Sequence, residues 1–285
     1  MFMMINKQME ISAIAQQRIR IITNGDSQDA EDDLAVEEPL EIQLSFTESG
    51  KKIKKSISVT MRTPGNDDEL AVGFLFTEGI ITQKSQVKAV KNDVIEENKV
   101  IVNLADDFSP EINSLERNFY TTSSCGVCGK ASIDAIKTVS VYHNEDNALL
   151  VSSQVIFSLK KKLNVQQSIF ESTGGLHASA LFDLNGQFIT LREDVGRHNA
   201  LDKLIGDALL NDLLPLTNQI LLLSGRASFE LIQKAGMAGI KIVAAIGAPS
   251  SLAVKLAEES NMTLIGFLKS DKFNIYSGFE RISAL

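Results

Sequence analysis

QILLLSGRASFELIQKAGMAGIKIVAAIGAPSSLAVKLAEESNMTLIGFL, residues 219–268, decides the fold class. Three short apolar runs, around Ile220, Ile242 and Leu264, alternate with two stretches of helical spacing, SFELIQKAGMAG and SSLAVKLAEES. Apolar strands alternating with helices pair in parallel through right-handed crossovers, which cover the sheet on both faces. Upstream, LHASALFD and QFITLRED flank the turn LNGQ as strands, and NALDKLIGDALLND carries helical spacing. Residues 151–285 therefore read as a layered α/β domain, and the chain as α/β overall.

The N-terminal half has another texture. PLEIQLSF and IKKSISVTMR alternate apolar and polar positions on either side of TESGKK, which predicts a hairpin. Pro64, Asn66 and Asp67 then supply helix-start chemistry, with an acidic first turn that suits the positive end of the helix dipole. VKAVKNDVI and NKVIVNLAD read as two further strands. These elements make a smaller α+β domain over residues 38–120, joined to the α/β domain by a cysteine-bearing loop and linker helix over 121–150. Residues 1–37 include the acidic run NGDSQDAEDDLAVEE, which can bury little apolar area and predicts a mobile tail.

At 285 residues the chain has room for about two domains. Its 44% hydrophobic and 22% charged residues are ordinary for a globular protein. The net charge of −8 argues against general nucleic-acid binding, which needs basic surface to neutralise phosphates. The opening MFMMINKQMEISAIAQQR lacks the unbroken apolar stretch of a secretory signal, and every apolar run stops far short of a membrane span. A cytoplasmic protein without membrane contact is expected.

Both cysteines, Cys125 and Cys128, sit in TTSSCGVCGK. A close pair in a reducing compartment is more often reactive or metal-binding than a structural staple. Zinc would need ligands from elsewhere, because His143, His177 and His198 have no ligand spacing around the pair. A thioredoxin-like pair would want a clear preceding strand. Burial as two small hydrophobes is the third alternative, against which stand the small and polar neighbours Thr121 to Ser124, Gly126 and Gly129. An exposed loop favours a reactive thiolate, whose pKa Lys130 and the following helix start would lower.

The α/β domain offers two glycine turns between strand and helix. One strand ends at Ser224-Gly225-Arg226 and Ala227-Ser228 opens the helix after it, and Gly247 with Ser250 and Ser251 repeats the plan at the next helix start. Backbone N–H groups and a guanidinium at such turns attract anions, and open α/β sheets bind ligands at their carboxyl edge. Every α/β protein needs tight turns, so each alone says little. Neither has the spacing of a nucleotide triphosphatase loop. In REDVGRHNALDK, Arg192, Arg197 and His198 surround Glu193 and Asp194, and His177 follows Gly174-Gly175. This reads either as a salt-bridged helix start or as a pocket for a large anion. Zinc deaminase chemistry is not expected, because His177-Ala178-Ser179 lacks the glutamate and the cysteine pair lies upstream.

Together EEPLEI, TMRTPG, DELAVGFLFTEGII, TSSCGVCGKAS, STGGLHASALF, REDVGRHNALDKLIG, LSGRASFELIQKA, GAPSSLAVKLA and IGFLKSDKFNIYSG resemble the FdhD family of formate dehydrogenase accessory sulfurtransferases. The resemblance implies a C-terminal domain similar to cytidine deaminases and a homodimer. It implies transfer of sulfur from an IscS-like cysteine desulfurase, as a cysteine persulfide, to the bis(molybdopterin guanine dinucleotide) molybdenum cofactor, which is bound as substrate before entering formate dehydrogenase. The persulfide position maps to Cys125, and the cofactor-binding segment to Phe267, Leu268, Lys269, Ser270, Asp271 and Lys272. Ser224, Gly225, Arg226, Gly247, Ser250, His177, Arg197 and His198 would hold the dinucleotide parts. The alternative is a non-catalytic chaperone that binds the cofactor and hands it on.

Overall fold

The computed structural model describes residues 13–92, 98–110, 142, 149–167 and 172–284. The expectations for Cys125, Cys128, Lys130, His143 and the linker helix fall outside the described residues.

The first element corrects the sequence reading. Residues expected in a mobile tail form an antiparallel ribbon of β1 (Ile14–Thr23) and β2 (Asp26–Ala35), in register from Ile14↔Ala35 to Thr23↔Asp26. The acidic strand finds its charge partners across the ribbon, where Asp29 accepts hydrogen bonds from Arg18 and Arg20 at 2.9 and 2.8 Å. Cross-strand pairing thus organises a segment that has too little apolar area to fold by burial.

β3 (Glu38–Glu48), β4 (Lys51–Arg62), β5 (Val87–Asn92) and β6 (Lys99–Leu104) form a sheet in the order β4-β3-β6-β5. The expected hairpin is β3–β4, closed by Ser49 and Gly50 with φ of 49° and 74°, the two positive values a type I′ turn requires. Leu40, Ile42, Leu44 and Phe46 alternate along β3 and are buried on one side. They pack against α1 (Asp67–Thr77). Asn66 enters α1 in the left-handed region without a side-chain cap, and Asp67 instead receives a bidentate pair of hydrogen bonds from the fully buried Arg62 at 2.8 and 2.9 Å.

After β7 (Val151–Ser152) and α2 (Ser153–Gln166) come β8 (His177–Asp183), β9 (Phe188–Asp194), α3 (Arg197–Leu210), β10 (Gln219–Leu223), α4 (Phe229–Met237), β11 (Ile242–Ala245), α5 (Ser251–Glu259), β12 (Thr263–Gly266), β13 (Asn274–Ser277) and β14 (Ile282–Ser283). The main sheet has the order β13-β12-β11-β10-β8-β9. β10, β11 and β12 pair in parallel as the alternating pattern predicts, whereas β8, β9 and β13 flank them antiparallel. The molecule is mixed α/β. Side-chain alternation divides its interior. Leu221, Leu223, Val243 and Ala245 face α3 and α4, while Ile220, Leu222, Ile242 and Ala244 face Ile156, Leu159 and Leu163 of α2.

The first of these cores continues without a break into the smaller sheet, because α1 crosses α3 at two glycines. A Cβ on Gly73 would lie 1.9 Å from the Asp202 carbonyl oxygen, and one on Gly206 would lie 1.9 Å from that of Glu69. The two units read from the sequence are fused by that close approach.

Candidate functional site

The carboxyl edge of the parallel strands gathers most of the residues selected from the sequence. Beyond β10 and β11 the chains remain laced together. The Gly247 N–H donates to the Gly225 carbonyl at 2.9 Å, Ala227 to Ala248 at 3.2 Å, Ser250 to Ala227 at 3.0 Å, and Phe267 to Gly247 at 3.0 Å. Three loops, each leaving a parallel strand, therefore lie side by side as a short continuation of the sheet. The absent side chains permit it, since a Cβ on Gly247 would sit 2.9 Å from the Gly225 oxygen and 3.0 Å from the Arg226 Cα. Arg226 is exposed at this edge.

His177 closes one side. Its ring lies against Gly225, where a Cβ would come within 3.2 Å of Nδ1. Burial, then the nearby Arg197 charge, push the His177 imidazole below the ordinary histidine range, with Asp194 opposing them. Both effects favour the neutral form of His177. Arg197 opens α3, and its Nε is buried with no hydrogen-bond partner among the described residues. A guanidinium with donor capacity unspent, beside an imidazole ring, suits an anionic group.

Supporting residues set this geometry. Asp194 is fully buried and accepts from the N–H groups of Gly196 at 2.8 Å and Thr63 at 3.1 Å and from Asn199 Nδ2 at 3.1 Å, with the Lys203 ammonium at 2.7 Å. Lys203 also donates to the Thr63 carbonyl at 2.8 Å, and Asn199 to that of Met61 at 2.8 Å. The end of β4 is thereby stitched to the start of α3, which fixes where Arg197 emerges. Lys203 and Thr63 were not singled out from the sequence, because 140 residues separate them along the chain.

The remaining sequence-selected residues divide by role. Arg192 belongs to the frame, donating to Glu69 Oε1 at 2.8 Å and lying 3.2 Å from Asp207. His198 is buried behind the site, with Nε2 3.0 Å from Glu230 and 3.3 Å from the Ser228 hydroxyl at the start of α4. Ser224 uses its hydroxyl to accept from the Ala178 N–H at 2.8 Å, and Ser250 caps α5 by accepting from Ala253 at 3.2 Å. Phe267 is exposed with a positive φ of 53°, while the Leu268 side chain is fully buried in the α2-side core, so a ligand can reach only its backbone. Lys269, Ser270, Asp271 and Lys272 form an exposed turn closed by the Lys269 N–H donating to the Lys272 carbonyl at 2.9 Å. Among the described residues, no helix is long and apolar enough to cross a membrane, and no three His, Cys, Asp or Glu side chains are grouped to hold a metal ion.

Fold and site define a mixed α/β protein whose parallel strands end in an edge of glycine turns flanked by Arg226, Arg197 and His177. Its residues 35–283 match the model of the FdhD/NarQ family, and the chain belongs to that family. The sulfur carrier protein FdhD of Mycolicibacterium paratuberculosis is 47% identical over 276 residues, covering 94% of this chain and 98% of that protein. Its namesake in Streptomyces coelicolor is 46% identical over 260 residues, covering 88% and 89%, and that of Picrophilus torridus 44% over 264 residues, covering 92% and 96%. The crystal structure of a candidate formate dehydrogenase accessory protein from Desulfotalea psychrophila superposes with a TM-score of 0.73 at 23% identity, over 95% of this chain and 100% of that one. At that identity the likeness concerns the fold.

Proposed function

We propose that this chain is a cytoplasmic sulfur carrier of formate dehydrogenase maturation. It takes sulfur from a cysteine desulfurase and delivers it to the bis(molybdopterin guanine dinucleotide) molybdenum cofactor, bound as substrate. The Cys125 thiolate attacks the terminal sulfur of the desulfurase persulfide, the desulfurase thiolate leaves, and Cys125 holds the persulfide. Delivery of that sulfur as hydrosulfide needs two electrons. The Cys128 thiolate supplies them by attacking Cys125 Sγ, forming the disulfide and expelling hydrosulfide towards the metal; a cellular dithiol then restores both thiols.

The observation that carries this reading is Arg197, whose buried Nε, beside His177 and the turns at Gly225 and Gly247, has no partner among the described residues. Such an edge suits a ligand rich in phosphate. The names of the relatives, sulfur carrier protein FdhD at 43–47% identity in the Mycolicibacterium paratuberculosis and Mycobacterium tuberculosis proteins, support the sulfur role. In this reading the chain acts as a sulfurtransferase and works as a homodimer.

The test is mass spectrometry after incubation with a cysteine desulfurase and cysteine. The peptide carrying Cys125 gains one sulfur atom, Cys125→Ala abolishes the gain, and cofactor binding survives in that variant. A chain that binds cofactor but never gains sulfur is the chaperone instead.

A further inference from the structure

The sequence reading placed Lys269, Ser270 and Asp271 in the cofactor-binding segment but left the charged face of α2 opposite them unexamined. Phe157, Lys160, Lys161 and Asn164 recur at spacings of three, one and three along α2 and so share a helix face. That face looks across a cleft of about 520 Å³ at Lys269, Ser270 and Asp271. This size is within the range of small-ligand sites. The Phe157 ring, tilted against Phe273 with centroids 4.9 Å apart, holds the two walls in place.

The charge of this cleft runs against that of the chain. α2 carries three lysines and no carboxylate, in a protein of net charge −8. Lys162 is consumed by the Gly186 carbonyl on the other side of the helix. Among the described residues no hydrogen bond or ion pair engages the side-chain ammonium of Lys160, Lys161 or Lys269. Three ammonium groups therefore face one carboxylate, Asp271. That excess suits a compact dianion, and the negative charge of the whole chain disfavours a long polyanion such as a nucleic acid. The position is informative as well. The Phe267 N–H donates to the Gly247 carbonyl, so the backbone runs directly from the glycine turns into the Lys269–Lys272 turn.

We propose that Lys160 and Lys161 of α2, with Lys269, form a second anion subsite that takes a diphosphate group of the ligand held at the carboxyl edge. This extends the footprint proposed above from one face of the sheet to the other, and it rests on that reading only for the identity of the full ligand. Lysine suits the task because its ammonium is a compact point charge on a mobile stem. Asn164 and Ser270 add hydrogen-bonding groups at the rim.

The full chain titrated with inorganic pyrophosphate, followed by amide NMR, tests the proposal directly. Resonances of α2 around residues 157–164 are expected to shift, as a set separable from those of residues 225–228. Lys160→Ala with Lys161→Ala removes the α2 set and weakens guanosine diphosphate binding by about tenfold or more, the loss expected for two charge-assisted contacts. Alanine is the best helix former, so the double variant keeps α2 folded. No shift on α2 at saturating pyrophosphate, or shifts that persist in the double variant, would overturn the subsite. Shifts on α2 caused by a cysteine desulfurase but not by pyrophosphate would overturn it in favour of a protein-docking face. Sulfur loading of Cys125, read separately by mass, decides the carrier function whichever result is obtained here.

Discussion

At the residue scale, two arginines five positions apart in REDVGR differ in whether their donors are spent. Arg192 is spent on Glu69 and Asp207, so Arg192→Ala strands partly buried carboxylates and lowers stability by about 2 kcal/mol, measured by urea unfolding. Arg197 keeps a buried Nε with no partner among the described residues, so Arg197→Ala is expected to leave the urea midpoint in place and to weaken guanosine diphosphate binding by about tenfold. The reverse pattern would exchange their roles. His177 gives a pH dependence with a definite sign. Its imidazole sits below the ordinary 6.5 in the folded protein, so below pH 6.5 the unfolded chain binds more protons than the folded one. Stability is fully present above 6.5 and falls on acidification through that value. His177→Gln is expected to flatten this part of the stability-against-pH curve, and an unchanged slope would remove His177 from the account.

At the element scale, the crossing of α1 and α3 governs how the halves meet. Alanine is favoured over glycine inside a helix by about 1 kcal/mol. At Gly73 that gain is overwhelmed, because the added Cβ would press to 1.9 Å from the Asp202 carbonyl oxygen and force the helices apart. Gly73→Ala is therefore expected to lower stability by about 3 kcal/mol or more, read from the urea midpoint. A stabilised variant would mean the helices are free to slide. The β1–β2 ribbon is the opposite case, since its pairs of Arg18 and Arg20 with Asp29 lie in solvent and hold only the ribbon itself. Its acidic strand was unreadable from composition, because a rule based on apolar area does not register charges matched across a hairpin.

At the scale of the whole molecule, a buried polar cluster ties three helices together. The Lys234 ammonium of α4 donates to Asp202 of α3 at 2.8 and 2.9 Å and to Thr77 of α1 at 2.8 Å, and Thr77 donates in turn to Asp202 at 2.8 Å. Burial costs both charges solvation, and the pair holds only while complete. Lys234→Met leaves Asp202 alone in the interior and should lower stability by about 3–5 kcal/mol. Because one core runs through both sheets, amides in β3 and β11 should lose protection from hydrogen exchange together in this variant. Loss in β11 alone would show that the halves unfold independently.

What the sequence determined by itself was whatever depends on neighbours along the chain. The period-two pattern of PLEIQLSF, the alternation from Gln219 to Leu268, the glycine turns at Gly225 and Gly247 and the family likeness were all local signals. The tertiary structure alone decided that Arg192 is spent on carboxylates while the buried Arg197 Nε meets no partner among the described residues, that Leu268 is core, that Lys203 and Thr63 set the start of α3, and that the α2 lysines look towards Lys269. The physical reason is the same in each case: whether a charge is spent or available depends on which distant carbonyls and carboxylates surround it, and burial and partners are properties of the packed chain.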